Sequence, residues 1–419
     1  MPEKHVLIRC RFLVSKQYIM KLLSSLTHKL FVALIAVSPI AMSSCDDGDD
    51  TPGGGTNQYK QTVIMYMPWS GSGIYSYFKR YIEAFETAIT DNRGLDGNSL
   101  VVFISENGSS SHLIKISYDD GQCLRDTLKS YDFATYDYTA PDGIAQVLGD
   151  AMACSPSDTY ALAIGCHGMG WIPAGTSVET RAARDAAAAG QVHQTRYFGH
   201  SSDVTYQTDI TSLAEGISRT GVKMKYVLFD DCYMSNIETA YDMRGAADYL
   251  IASTCEIMIE GMPYAEIGID LLENDLQGAV QGFYDFYSAF SVPCGTIAVT
   301  DCSQVEAMAQ VMRDINTAYP DGIDGTDGLQ DLDGYTPTIF FDYGDYAAHL
   351  CRDESLLAAF NEQLDRLVPY KACTPTYYSS ITGRQTAIDT FSGLTISDPT
   401  ENPAVTAAKA TTAWYKATH

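Results

Sequence analysis

Four short runs in this sequence leave a strand no face to turn toward water: Thr62–Met67 (TVIMYM), Ser99–Ser105 (SLVVFIS), Tyr160–Cys166 (YALAIGC) and Lys225–Phe229 (KYVLF). Near-continuous apolar runs of this length read as strands covered on both faces. Between them lie stretches with apolar residues at helical spacing: Tyr77–Ile89, Pro141–Met152 opened by its proline, Ile210–Arg219 and Ile237–Arg244. Strand alternating with helix predicts an α/β architecture, a mostly parallel central sheet covered by helices on both faces. Tyr249–Ser253 and Gly295–Thr300 are expected to extend the sheet. His112–Tyr118 and Gln122–Leu128 are expected to pair as a hairpin across Asp119-Asp120-Gly121. Further helices are expected at Val305–Tyr319, at Leu356–Leu367 and around Ala404–Tyr415, with Thr390–Ile396 returning a strand to the sheet before the last of them.

The N-terminus carries a different signal. His28-Lys29 supply positive charge, Leu30 to Met42 form the one apolar run near membrane length, and Ser43-Ser44 precede Cys45. A basic segment, a short apolar core and small residues make a secretory signal, too short to remain as a spanning helix. The cysteine at the cleavage point predicts a lipoprotein leader over residues 1–45, lipidated on Cys45, with Met20 a second plausible start. Residues 46–58, rich in Asp, Gly, Thr and Pro, read as a tether to one domain spanning 59–419. The Asp46-Asp47-Gly48-Asp49-Asp50 segment resembles the acidic tag of lipoproteins at the outer membrane or surface of Gram-negative bacteria.

Charge narrows the partners. The formal balance of the chain is −25. Without residues 1–44, which hold six cations and one acid, 21 basic and 51 acidic side chains remain, a balance of −30. Nucleic-acid binding through a broad basic surface is excluded, because such binding replaces counterions with lysine and arginine. A cationic ligand or substrate is what this field would draw in.

Beyond the leader there are nine cysteines, an odd number that leaves at least one thiol unpaired. Export would permit disulfides, with Cys294–Cys302 the expected pair. No Cys-x-x-Cys pair or His/Cys cluster has zinc spacing, so no metal–thiolate site is expected. Two segments read as insertions. Residues 173–200 hold an Ala-rich tract with Arg181, Arg184 and Arg196. Asp321–Gly334 is rich in Asp and Gly, misses the alternate acidic spacing of an EF-hand loop, and reads as a solvated turn.

Chemistry gathers at two strand ends. Tyr160–Cys166 runs into His167-Gly168-Met169-Gly170-Trp171, and Lys225–Phe229 runs into Asp230-Asp231-Cys232-Tyr233-Met234-Ser235. In an open parallel sheet, residues just past the carboxyl ends of neighbouring strands share one crevice. If the two strands are neighbours, His167 and Cys232 meet there although 65 positions separate them. An imidazole beside a cysteine favours the thiolate, the species that attacks a carbonyl. The Gly168 and Cys232 amides would then flank the oxyanion formed in acyl transfer.

These motifs, with Asn236-Ile237-Glu238, Ala252-Ser253, Glu260-Gly261-Met262-Pro263-Tyr264, Gly393-Leu394 and Trp414, resemble the clostripain family of cysteine peptidases, relatives of caspases, gingipains and legumains. The resemblance runs from about Thr62 to the C-terminus and implies a caspase-like three-layer sandwich with His167 and Cys232 as catalytic dyad. It also implies cleavage of proteins or peptides after Arg or Lys, with Asp230, two residues before the nucleophile, binding the basic side chain. Read alone, a carboxylate at Asp230 beside the nucleophile suits a guanidinium, with strand capping as the alternative role. Asp231 departs from the pattern, since the family usually carries a small residue there. A carboxylate facing Cys232 would raise the thiol pKa, whereas alternation along an extended segment could turn it away. The resemblance further implies self-cleavage between the His and Cys strands, where Arg181-Ala182 and Arg184-Asp185 are the bonds on offer and an uncut insertion is the alternative. It requires no cofactor and leaves calcium open. A catalytically silent surface binding protein on the same fold is the competing reading, and Asp231 is the residue that favours it.

Overall fold

The central sheet has nine strands among the described residues of the computed structural model, which are 58–68, 74–133, 136–176, 178, 198–199 and 204–419. The leader 1–45 with Cys45, the tether as far as residue 57, and Arg181, Arg184 and Arg196 lie outside them. In chain order the strands are β1 (Tyr59–Met67), β2 (Ser99–Asn107), β3 (Ser110–Asp119), β4 (Gln122–Tyr131), β5 (Ser157–Gly165), the short β6 (Phe198–Gly199) and β7 (Gln207–Thr208), β8 (Met224–Asp230), β9 (Ala247–Ala252), β10 (Thr296–Asp301), β11 (Phe341–Asp342), β12 (Tyr370–Cys373), β13 (Thr376–Ser379), β14 (Arg384–Ala387) and β15 (Thr395–Ile396). The sheet order is β12-β10-β9-β8-β5-β1-β2-β3-β4. Five parallel strands, β9 to β2, form its middle, and an antiparallel pair flanks each side.

The four apolar runs occupy that parallel middle, as their composition requires. Val63–Met67 of β1, Leu100–Phe103 of β2, Leu162 and Ile164 of β5 and Tyr226–Phe229 of β8 are all fully buried. Each such aliphatic side chain contributes about 1.5–3 kcal/mol by leaving water.

The helices are α1 (Tyr75–Asn92), α2 (Pro141–Cys154), α3 (Ile210–Arg219), α4 (Ile237–Met243), α5 (Tyr264–Glu273), α6 (Leu276–Ser288), α7 (Val305–Ala318), α8 (Tyr343–Leu350), α9 (Glu354–Leu367), α10 (Pro403–Lys409) and α11 (Ala413–Thr418). From β1 the chain steps to β2 through α1, then back across β1 to β5 through α2, and onward to β8 through α3. Right-handed crossovers in opposite directions place their helices on opposite faces. Accordingly α1 packs with α5 and α5 with α6, while α2 packs with α3, α3 with α4, and α11 with both α4 and α7. The reversal of direction at β1 is a topological switch point, and the carboxyl ends of the strands beside it frame a crevice.

Four expectations need correction. Thr390–Ile396 does not rejoin the central sheet. Only Thr395–Ile396 is extended, as β15, and it pairs antiparallel with β11. The place beside β10 is filled by β12, and Gly393, at φ +86°, turns the chain away, where a Cβ would meet Val368 Cγ1 at 2.8 Å. The last helix is two, because Thr412 adopts extended backbone and its side chain accepts from the Tyr415 N–H, starting α11 afresh. Cys294 and Cys302 are separate buried thiols, as all nine described cysteines are free. Asp321–Gly334 is solvated only in its first part. Leu332 and Asp333 are buried, and the Asp333 carboxylate accepts the N–H groups of Tyr335, Ile339 and Phe340. Among the described residues, no helix is long and apolar enough to cross a membrane.

Candidate active site

The β5–β8 ladder ends with Gly165 opposite Asp230. His167 and Cys232 each lie two residues beyond that rung, just past the carboxyl ends of neighbouring strands. Both line one cavity of about 250 Å³ together with Asp230 and Asp231. Its opposite wall comes from Ile74, Phe78 and Tyr81 at the start of α1, and its rim from Glu256–Ile259 after β9 and from Tyr378 and Ser380 of the β13–β14 hairpin.

Local backbone explains how Cys232 reaches the cavity. Tyr233 has φ +62°, an uncommon left-handed conformation for a bulky residue, and this turns the chain sharply after β8. The turn is held from several sides. Tyr233 N–H donates to Cys255 O at 3.0 Å, its hydroxyl to Glu256 Oε1 at 2.9 Å, and its ring stacks on Phe340 at 5.3 Å. Asn236 Nδ2 donates to Tyr233 O at 2.8 Å while its Oδ1 accepts from Thr239 N–H, capping α4. The histidine segment lies directly on this turn. A Cβ on Gly168 would come within 2.4 Å of Cys232 O and 2.9 Å of Cys232 N, so only glycine permits the approach. The chain's C-terminal segment ties both loops together. Trp171 Nε1 donates to Ser397 Oγ at 2.9 Å, Ser397 N–H to Glu238 Oε1 at 2.7 Å, and Ser235 Oγ to Gly393 O at 2.7 Å.

Electrostatics at the site are set by burial. Cys232 Sγ accepts from Ile257 N–H at 3.4 Å. Burial first, then the Glu256 carboxylate, with smaller contributions from Asp231 and Asp230, pushes the thiol pKa up against that single stabilising N–H. Burial and these neighbouring carboxylates thus favour the thiol over the thiolate at Cys232. Asp230 Oδ1 accepts from Met262 N–H at 2.9 Å, while Oδ2 is buried and has no hydrogen-bond partner among the described residues. Burial raises the Asp230 pKa to about 7, opposed by the Met262 amide and the neighbouring Tyr264 hydroxyl. Asp231 does not point to solvent. Its Oδ1 accepts from Cys166 N–H at 2.6 Å, and burial, ahead of Asp230, holds its pKa well above the usual carboxylate range.

The geometry thus brings together His167, Gly168, Asp230, Asp231 and Cys232. Sequence reasoning missed the rest of the cavity: Phe78, Tyr81, Glu256–Ile259 and the hairpin residues Tyr378 and Ser380. Only the helical spacing of α1 pointed toward any of these. Among the described residues, no group of three or more His, Cys, Asp or Glu side chains is disposed to hold a metal ion.

Comparison with known proteins matches this arrangement. The sequence model of the clostripain family fits residues 75–323. A secreted C11 cysteine protease from Bacteroides thetaiotaomicron, iotapain, has 47% sequence identity, a TM-score of 0.77, and coverage of 86% of this chain and 99% of its own. A clostripain from the same species, solved in complex with the peptide inhibitor BTN-VLTK-AOMK, has 56% identity over 52% of this chain and 97% of its own, with a TM-score of 0.50. An inactive zymogen C11 protease from Parabacteroides distasonis, at 24% identity, shares the fold with a TM-score of 0.72 over 87% of this chain and 99% of its own. A search of curated proteins returned no match. A family match that spans the strands leading to His167 and to Cys232 and most of the sheet, joined to near-half identity with a solved relative, makes this chain a member of the clostripain family of cysteine peptidases.

Proposed function

We propose that the chain is an exported, lipid-anchored endopeptidase that cleaves proteins or peptides after lysine or arginine, using Cys232 and His167. The observation that carries the specificity is Asp230 Oδ2, buried in a largely apolar cavity beside the thiol with only the Tyr264 hydroxyl near it and no cation against it among the described residues. A buried carboxylate oxygen without a partner costs free energy until a donor arrives. A lysine or arginine side chain supplies that donor at its charged end and an aliphatic stem for Ile74, Phe78 and Tyr81. The inhibitor peptide bound by the Bacteroides thetaiotaomicron clostripain, VLTK, ends in lysine and supports the same reading.

In this mechanism His167 takes the Cys232 proton as the sulfur attacks the scissile carbonyl, which offsets the raised thiol pKa by making thiolate only when substrate is present. The Gly168 and Cys232 amides, brought close by the glycine contact, steady the oxyanion. His167 then protonates the leaving amine, and water releases the thioacyl-enzyme. Residues 1–45 are the leader with Cys45 as the lipidated residue, 46–58 the tether, and 59–419 the peptidase domain with its insertion at 173–200. Arg181 and Arg184 are the proposed self-cleavage positions. The description of iotapain as secreted supports export.

The test is a panel of fluorogenic peptides differing only at the cleaved residue. Lysine and arginine peptides should exceed leucine and glutamate ones by about 10²-fold or more in kcat/KM, and Asp230→Asn should collapse that gap. Equal turnover of the leucine peptide would refute the specificity. Cys45→Ser should move the protein from the membrane to the soluble fraction, and unchanged membrane association would refute the anchor.

A further inference from the structure

The two strands that carry the dyad part company one step above Gly165 and Asp230. The next ladder rung would pair Cys166 with Asp231, and no such rung forms. The Cys166 N–H is nonetheless satisfied, at 2.6 Å, by the Asp231 carboxyl rather than by backbone. A side chain therefore spans the opening where the strands splay to make the cleft.

We propose that Asp231 is a positioning residue, a side-chain staple that replaces the missing rung and fixes the His167 segment at the height of Cys232. The proposal rests on the reading of His167 and Cys232 as the dyad. Two contacts and its own burial mark the staple. Cys166 hangs from Asp231 Oδ1, immediately before His167. Gly168, immediately after His167, leans on Asp231, where a Cβ would lie 2.7 Å from the Asp231 Cβ. Asp231 itself is 1% exposed and covalently precedes the nucleophile. The histidine is thus bracketed on both sides by contacts to one residue.

An alanine here would leave the Cys166 amide without this acceptor and widen the gap. An asparagine would keep the acceptor oxygen in the same place, since it matches the shape of an uncharged acid. Burial and the adjacent Asp230 favour that uncharged form. This separates a positional role from a charge role. Were the charge at 231 the point, asparagine would fail as badly as alanine.

The experiment compares wild type, Asp231→Ala and Asp231→Asn by three readouts. These are amide hydrogen exchange over residues 160–170, kcat and KM on a lysine peptide, and thermal unfolding. Alanine should speed exchange and lower kcat about tenfold or more, with KM within about twofold, because misplacement of a catalytic group is felt in the rate. Asparagine should keep both exchange and kcat within about threefold of wild type. Unchanged exchange and kcat in the alanine variant would overturn the proposal. So would an asparagine variant as slow as alanine, or a kcat loss that only tracks the folded fraction. No turnover from wild type would sink the dyad reading and the positioning role with it. The exchange arm needs no turnover, so unchanged exchange beside a normal wild-type rate sinks the staple alone.

Discussion

Strands β5 and β8 pass through two environments that are equally dry and chemically opposed. Below the Gly165–Asp230 rung, Leu162, Ile164, Val227, Leu228 and Phe229 are fully buried among other apolar side chains, and the two strands pair in register from Leu162–Val227 upward. At and above it, Asp230 and Asp231 are also buried, at 6% and 1% exposure, yet each has one carboxylate oxygen without a partner among the described residues. Burial of a satisfied apolar residue stabilises the fold, whereas burial of an unsatisfied carboxyl opposes it. The strand bodies therefore supply the stability, and the strand ends hold groups whose cost only a substrate or a neighbouring segment can relieve.

This contrast makes opposite demands on substitutions at the two levels. The largest effect belongs at the ends. Cys232→Ala or His167→Ala should lower turnover of a lysine peptide by about 10⁴-fold or more while the unfolding temperature stays near wild type. Peptide hydrolysis beside a thermal melt reads both. Next comes Asp230→Asn, with a loss of about 10²-fold or more in kcat/KM for basic peptides. Its effect on stability has the opposite sign. The folded-state pKa of Asp230 is raised from 3.8 to about 7. The folded protein then holds a proton that the unfolded chain has released, so this group's contribution falls as pH climbs from about 4 to about 7. Asparagine cannot ionise, and the variant should gain on wild type across that window and keep the margin above it. Denaturant titrations at several pH values would show the gain, and parallel curves would contradict it.

The strand body should behave in the reverse way. Leu228→Ala, three residues upstream of Asp231, removes a fully buried side chain and should cost about 3 kcal/mol of stability. The rate per folded molecule should hold. A variant that kept its stability and lost its rate would erase the distinction between the two levels. The smallest effect is expected from Glu256→Gln. The Glu256 carboxylate is the largest charge-based contribution raising the Cys232 thiol pKa. Its removal should speed alkylation of Cys232 a few-fold near neutral pH, and unchanged alkylation would dismiss that influence.

The same contrast governs what could be read from the sequence. The parallel middle was legible because a strand buried on both faces must be apolar at nearly every position, and Thr62–Met67 and Lys225–Phe229 announce that. His167 and Cys232 were legible because strand ends in such a sheet face one crevice. The cavity rim was not. Ile257, Met258 and Ile259 belong to a loop without period, and the β13–β14 hairpin, with TYYS and RQTA, offers no alternation to find. Helix α6 did carry a signal, in the spacing of Leu276, Ala279, Val280, Phe283 and Tyr287, that the strand-centred reading passed over. The direction of Asp231 could not be read at all. It depends on the Cys166 amide, which lies 65 residues away in sequence and comes within reach only once the two strands pair.

The central claim, that Cys232 is the nucleophile and His167 its proton acceptor, is tested most directly by covalent trapping. Wild type and the Cys232→Ala and His167→Ala variants would be treated with a thiol-reactive peptide ending in lysine, and the adduct mapped by mass spectrometry. The account predicts one adduct on Cys232 in wild type, none in Cys232→Ala and a strongly slowed reaction in His167→Ala. An adduct on another cysteine, or equal labelling rates with and without His167, would contradict it.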